Sequence, residues 1–133
     1  MSEGNQNLIT GLYAGLSGLL LIALYARVSQ RRIATKIGVG TGGDIELEQR
    51  IRAHANFIET VPLALILLYL VEQSGASATY VHAFGAALVI ARLCHAQGMS
   101  MTTGRSAGRF YGSILTLLVL AGLSITLIAR SIA

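Results

Sequence analysis

Glu48, Arg52, Asn56 and Glu59 follow one another at intervals of four, four and three residues. On a helix turning about 100° per residue they share an arc of roughly 80°. Arg50, His54 and Phe57 project from the other side. One stripe therefore offers a guanidinium, an amide and two carboxylates. Such a set suits a zwitterionic ligand that bears carboxylates. Arg52 can grip a carboxylate with two parallel N–H bonds, Glu59 can pair with an ammonium, and Asn56 can bond a peptide group. The same residues could instead satisfy each other, with Arg52 paired to Glu48 and Glu59, and the sequence leaves both readings open. Arg27, His95, Arg105 and Arg109 add basic groups at matching depth, which points to an anion site. For Arg31, Arg32 and Lys36, ordinary snorkelling into water is explanation enough.

The elements that must hold these residues are membrane helices. The chain has 133 residues, 53% of them hydrophobic and only 12% charged, with a mean hydropathy of +0.64. Soluble domains carry about 25% charged residues, so a cytosolic globule and a disordered chain are both excluded. The net charge of +4 comes with 6% aromatic residues and no Trp, and the basic residues flank apolar runs. Membrane topology accounts for them, and no nucleic-acid partner is expected. The single cysteine, Cys94, excludes an internal disulfide and a cysteine metal cluster. It reads as a small buried residue. His54, His82 and His95 lack zinc spacing, and no metal site is expected.

Four apolar runs are present. Leu8–Ala26 is uncharged and close to the roughly 20 residues that span a bilayer. Basic residues follow it instead of preceding it, unlike a cleavable signal. The third run covers Ala78–Ala91 and the fourth Phe110–Ala129. The second is uncharged only between Glu59 and Glu72, too short to span. Extended back to Gln49 it reaches across, carrying Arg50, Arg52, His54, Asn56 and Glu59 toward the membrane, where ionisable groups face protein or a watery cavity. The predicted architecture is an all-α integral membrane four-helix bundle. It forms a single domain over 1–133, with helices at roughly 6–34, 48–72, 77–97 and 106–131. Pro62 lies within the second helix and reads as a structural kink.

Nine of the ten Lys and Arg residues fall near the first and third connections, and only Arg130 near the other side. The positive-inside rule then places both termini outside and those two loops in the cytoplasm. Gly11 and Gly15 in the first helix, and Gly104, Gly108 and Gly112 in the fourth, are spaced for close helix packing. The segment GVGTGGD (38–44) lacks the ending of a phosphate-binding loop and reads as a flexible turn.

The stretch ELEQRIRAHANFIETVPLALIL (46–68) resembles the signature of the MAPEG family, membrane-associated proteins in eicosanoid and glutathione metabolism. Glu48, Arg52, Ala53, His54, Asn56 and Glu59 match it in order and spacing. The resemblance extends to four membrane helices, the basic first loop, ARLCH (91–95) and GRSAGRF (104–110), and it is strongest to small bacterial members. It implies a homotrimer in the bacterial inner membrane, with glutathione as co-substrate bound between subunits near the cytoplasmic face. It further implies that Arg52, Asn56 and Glu59 hold the glutathione backbone, with Arg27, His95 and Arg105 contributing. Arg109 then acts catalytically on the thiol, while Glu48, His54 and Pro62 complete the motif structurally. Ser113 and Met99 stand where better-known members often carry tyrosines, Phe110 where the prostaglandin synthase branch has serine, and Ala55 where some members have arginine. These departures weaken any link to eicosanoid synthesis.

The expected function is that of a glutathione-dependent membrane transferase or peroxidase-like protein. Its partners would be glutathione, membrane lipids and a hydrophobic small molecule or lipid. A non-catalytic family member that binds or assembles in the membrane is the alternative. A small multidrug-type transporter fits less well, because the first helix lacks a central carboxylate.

Overall fold

A computed structural model of the chain describes residues 8–101, 104 and 106–133, with the side chains of Ser100 and Met101 left aside. Arg105 and residues 6–7, the expected start of the first helix, lie outside the described residues. Four helices follow in order: α1 (Ile9–Thr35), α2 (Ile45–Gln73), α3 (Ala78–Met101) and α4 (Ala107–Ile132). At 1.5 Å per residue they measure about 36–43 Å, enough to cross a hydrocarbon core of about 30 Å. By length and composition α1, α2 and α4 qualify as membrane spans. α2 and α3 form the central pair. α1 and α4 each pack on that pair and do not touch each other among the described residues.

The helix ends are closed by specific groups. Leu8 gives α1 no side-chain cap. Glu72, at the far end of α2, supplies one by accepting from the N–H groups of Ile9 (2.7 Å) and Thr10 (2.9 Å). Asp44 caps α2, accepting from the Leu47 N–H at 2.6 Å, and Ser106 caps α4 through the Arg109 N–H at 3.2 Å. Such oxygens satisfy amides that no helix can satisfy for itself. α2 runs unbroken through Pro62.

The core has two parts. In one half Leu68 and Val71 of α2 meet Val81 and Leu88 of α3, Leu123 of α4, and Tyr13 of α1. In the other half Phe57 and Val61 pack with Leu24, Ala96 and Met99. Large apolar side chains such as Leu19, Ile22, Ile66, Leu117 and Ile125 remain on the outside. Water would oppose that surface and lipid does not, as expected where the bilayer is the solvent.

α3 and α4 approach closely through glycine. A Cβ on Gly112 would lie 2.7 Å from the Ala91 carbonyl oxygen, and one on Gly108 would lie 2.8 Å from that of Cys94. Packing is thus the role of those two residues. A Cβ on Gly15 or Gly104 would meet nothing within 4 Å, and one on Gly11 only Leu8 of its own turn. Among the described residues the first-helix pair therefore packs on no other helix. Cys94 is exposed instead of buried.

The first loop also departs from expectation. It is a turn, with Gly40, Gly42 and Gly43 at positive φ, but a fastened one. Arg31 clamps Asp44 with bonds of 3.1 and 2.8 Å and reaches Glu46 at 2.9 Å. Arg32 donates to the carbonyls of Ile37 (3.2 Å) and Gly40 (3.0 Å). Snorkelling does not describe these arginines, because loop carboxylate and carbonyl oxygens replace water as their partners. Lys36 is exposed, as anticipated.

Candidate functional site

The α2 stripe forms, and most of it faces away from the rest of the chain. Glu48, Arg52 and Glu59 are exposed and Asn56 is half-buried. The described ion pairs join Arg31 to Asp44 and Glu46, and Arg50 to Glu46. The alternative network of Arg52 with Glu48 and Glu59 is therefore absent among the described residues. On the opposite side Arg50 donates to the Arg27 carbonyl at 2.6 Å and to Glu46 at 2.6 Å, and His54 meets the Tyr25 ring at 5.9 Å.

Asn56 turns inward. Its Oδ1 accepts from Nη2 of Arg92 at 2.7 Å. Arg92 is 2% exposed and ties three helices together. Nη1 reaches Thr116 Oγ1 of α4 at 3.4 Å, Nη2 lies 3.2 Å from His95 Nδ1, and the Phe57 ring centroid lies 5.9 Å from the guanidinium. Its Nε is buried without a partner among the described residues, and no carboxylate pairs with it there. A buried cation neutralised only by dipoles is costly. Sequence reasoning passed over Arg92, counting it with the loop charges because the third apolar run seemed to stop at Ala91. The available signal was the Arg-x-x-His spacing, which puts Arg92 and His95 on one helical face.

His95 is buried and borders an open hollow of about 760 Å³, together with Arg109, Ser106, Phe110, Tyr111 and Ser113. That volume lies within the range of small-molecule sites. Arg109 is half-buried, and its Nη1 donates to the Gly104 carbonyl at 2.9 Å. The α3–α4 contact thus brings His95 and Arg109 to one hollow, with Arg92 linking His95 to Asn56. Arg27 is not brought to this group. It lines a separate cavity of about 70 Å³ between α1 and α2, with Arg50, Glu46 and Met99. Met99 faces that cavity, away from the hollow beside Arg109.

Outside the spans, the Arg31 hydrogen bonds and the Leu47 N–H hold the Asp44 carboxyl below its ordinary range. The first loop is thereby locked to the start of the helix that bears the stripe.

Comparison with known proteins identifies relatives of the chain. The family model described as MAPEG family matches residues 10–129. The chain is 37% identical to "Inner membrane protein YecN" of Escherichia coli (strain K12) over 91 residues, which is 68% of this chain and 70% of that protein. The protein of the same name from Escherichia coli O6:H1 matches with the same identity and coverage.

Proposed function

The chain belongs to the MAPEG family, and from that membership we propose that it is a glutathione-dependent membrane transferase or peroxidase-like protein acting on hydrophobic electrophiles. One observation carries the reading. Arg52 and Glu59 stand exposed on a membrane helix with no ion-pair partner among the described residues. Groups so placed call for a complementary charged ligand. Glutathione offers two carboxylates, an ammonium and two peptide groups. Arg52 takes a carboxylate, Glu59 the ammonium and Asn56 a peptide carbonyl, with His95 and Arg105 as further contacts, and Arg27, which lines a separate cavity in its own chain, contributes from a neighbouring copy.

Arg109 acts on the thiol. A free thiol has a pKa near ~8.5, so little thiolate exists at neutral pH. A guanidinium beside the sulfur favours the anion, at about 1.4 kcal/mol per pKa unit. In the transfer, thiolate sulfur bonds to the electrophilic carbon and the leaving group departs with its electron pair. The electrophile arrives through the bilayer. An outward stripe is completed by a neighbouring copy, in keeping with a homotrimer whose sites lie between subunits. The relative's name and the arginine-rich loops support the inner membrane, with termini outside and the site near the cytoplasmic face.

Isothermal titration of purified protein with glutathione tests the reading. Binding by wild type that Arg52→Ala weakens by a factor of tens supports it. Equal or absent heat in both leaves the family member as a non-catalytic membrane protein.

A further inference from the structure

Arg92 lies within hydrogen-bond reach of two side chains whose hydrogen-bonding sense is not fixed by their chemistry. An amide can present its oxygen or its nitrogen, and a neutral imidazole can carry its proton on either nitrogen. Arginine has five N–H donors and no acceptor. Whatever it bonds must therefore offer a lone pair. Asn56 does so with Oδ1, 2.7 Å from Nη2, which leaves its NH₂ group as the end free to meet a ligand. That nitrogen makes no hydrogen bond among the described residues. His95 Nδ1 lies 3.2 Å from the same Nη2, so it must carry the lone pair, and the ring proton belongs on Nε2.

The guanidinium has no freedom to release them. It is 2% exposed, held by Thr116 Oγ1 at 3.4 Å and stacked near Phe57 at 5.9 Å. We infer that Arg92 is a positioning residue that turns Asn56 and His95 into obligate hydrogen-bond donors toward the site. The ligand groups that meet them are then acceptors, a peptide carbonyl at Asn56 and a carboxylate or thiolate at His95, and not an ammonium. This last consequence rests on the glutathione reading; the donor assignment does not. The uncompensated charge of Arg92 favours an anion for the same reason.

The test reads the proton directly. Full-length protein with ¹⁵N-labelled histidine is studied by long-range ¹H–¹⁵N correlation in mild detergent, with His95→Gln assigning the His95 signals. Wild-type His95 should be a neutral ring protonated on Nε2. Arg92→Met should give mixed tautomers, and Arg92→Lys, which keeps a cationic donor, should restore the wild-type form. His82, bonded to Tyr13 in the other half of the bundle (2.8 Å), reports whether each variant has folded. Wild-type His95 protonated on Nδ1, or doubly protonated at neutral pH, overturns the inference even if Arg92→Met does not fold. So does an unchanged tautomer in folded Arg92→Met. In parallel, glutathione affinity should fall tens-fold in Arg92→Met and only a few-fold in Arg92→Lys. Wild type that binds no glutathione removes the ligand assignment, while the tautomer result stands or falls separately.

Discussion

A charged side chain on the outer face of a membrane helix gains little from its own chain, so its removal is read most clearly in ligand binding. Glu59→Ala, like Arg52→Ala, removes one side of a charged hydrogen bond, which typically costs about 2–5 kcal/mol when the pair is desolvated. Titration calorimetry should show tens-fold weaker glutathione binding with little change in melting temperature. Arg109→Ala should behave differently. Among the described residues its side chain is bonded to the Gly104 carbonyl alone, and its proposed work concerns the ionised thiol. Affinity should largely persist while the ultraviolet absorbance of bound thiolate disappears and conjugation slows. Retained thiolate absorbance in that variant rules out the assigned role. At this scale the sequence was informative about Arg52, Asn56 and Glu59, because helical spacing alone gathers them. It was not informative about Arg92. Whether an arginine ends an apolar run or sits buried inside one depends on the partners that other helices bring, and Thr116 and Asn56 come from different helices.

Between elements, the α3–α4 seam and the first loop are two close junctions. Gly112→Ala places a methyl 2.7 Å from a backbone oxygen, and overpacking of this kind costs about 1–3 kcal/mol. Thermal melting in detergent should show a clear loss for Gly112→Ala. Gly15→Ala should leave the single chain's own packing unharmed, since nothing lies within 4 Å. Comparable losses in both variants would contradict this contrast. Identical GxxxG spacing in α1 and α4 could not reveal that difference, because the pattern does not say which face meets a neighbour. The loop carries a pH signature. The folded Asp44 carboxyl titrates below its ordinary value of 3.8, so its contribution is fully present above that value. It is lost as pH falls through the lowered folded value. Hydrogen-exchange protection of the Leu47 amide, taken relative to its intrinsic exchange rate at each pH, should fall at the acid end of the range in wild type. In Asp44→Asn it should already be lower at neutral pH and show little of that acid step.

Across the whole molecule, hydropathy made the four helices legible, three of them as spans, although α2 begins and α3 ends well beyond their apolar runs. What the sequence could not convey was how the helices are arranged. α1 and α4 are kept apart by the α2–α3 pair, and this follows from glycine contacts and core shapes that no linear pattern displays. Orientation is open to direct measurement. Single cysteines at Lys36 and Ser74, in a background with Cys94 replaced, should label oppositely in intact cells, with Ser74 reached from outside. External labelling at Lys36 would invert the topology and put the arginine-rich end on the wrong face. Native mass spectrometry from mild detergent should show three protomers, and a persistent monomer would argue against sites shared between subunits.

The carboxylate of Glu72 bears on how the protein is made. Leu8 offers no side-chain cap, and the N–H groups of Ile9 and Thr10 are closed by a residue more than sixty positions later. During synthesis α1 therefore enters the bilayer with that end unfinished. It stays so until the ribosome has delivered all of α2, Glu72 included. Among the described residues the smallest part that satisfies those amides is the α1–α2 hairpin, so a nascent chain stalled before residue 72 should remain more dependent on the insertion machinery than one stalled beyond it.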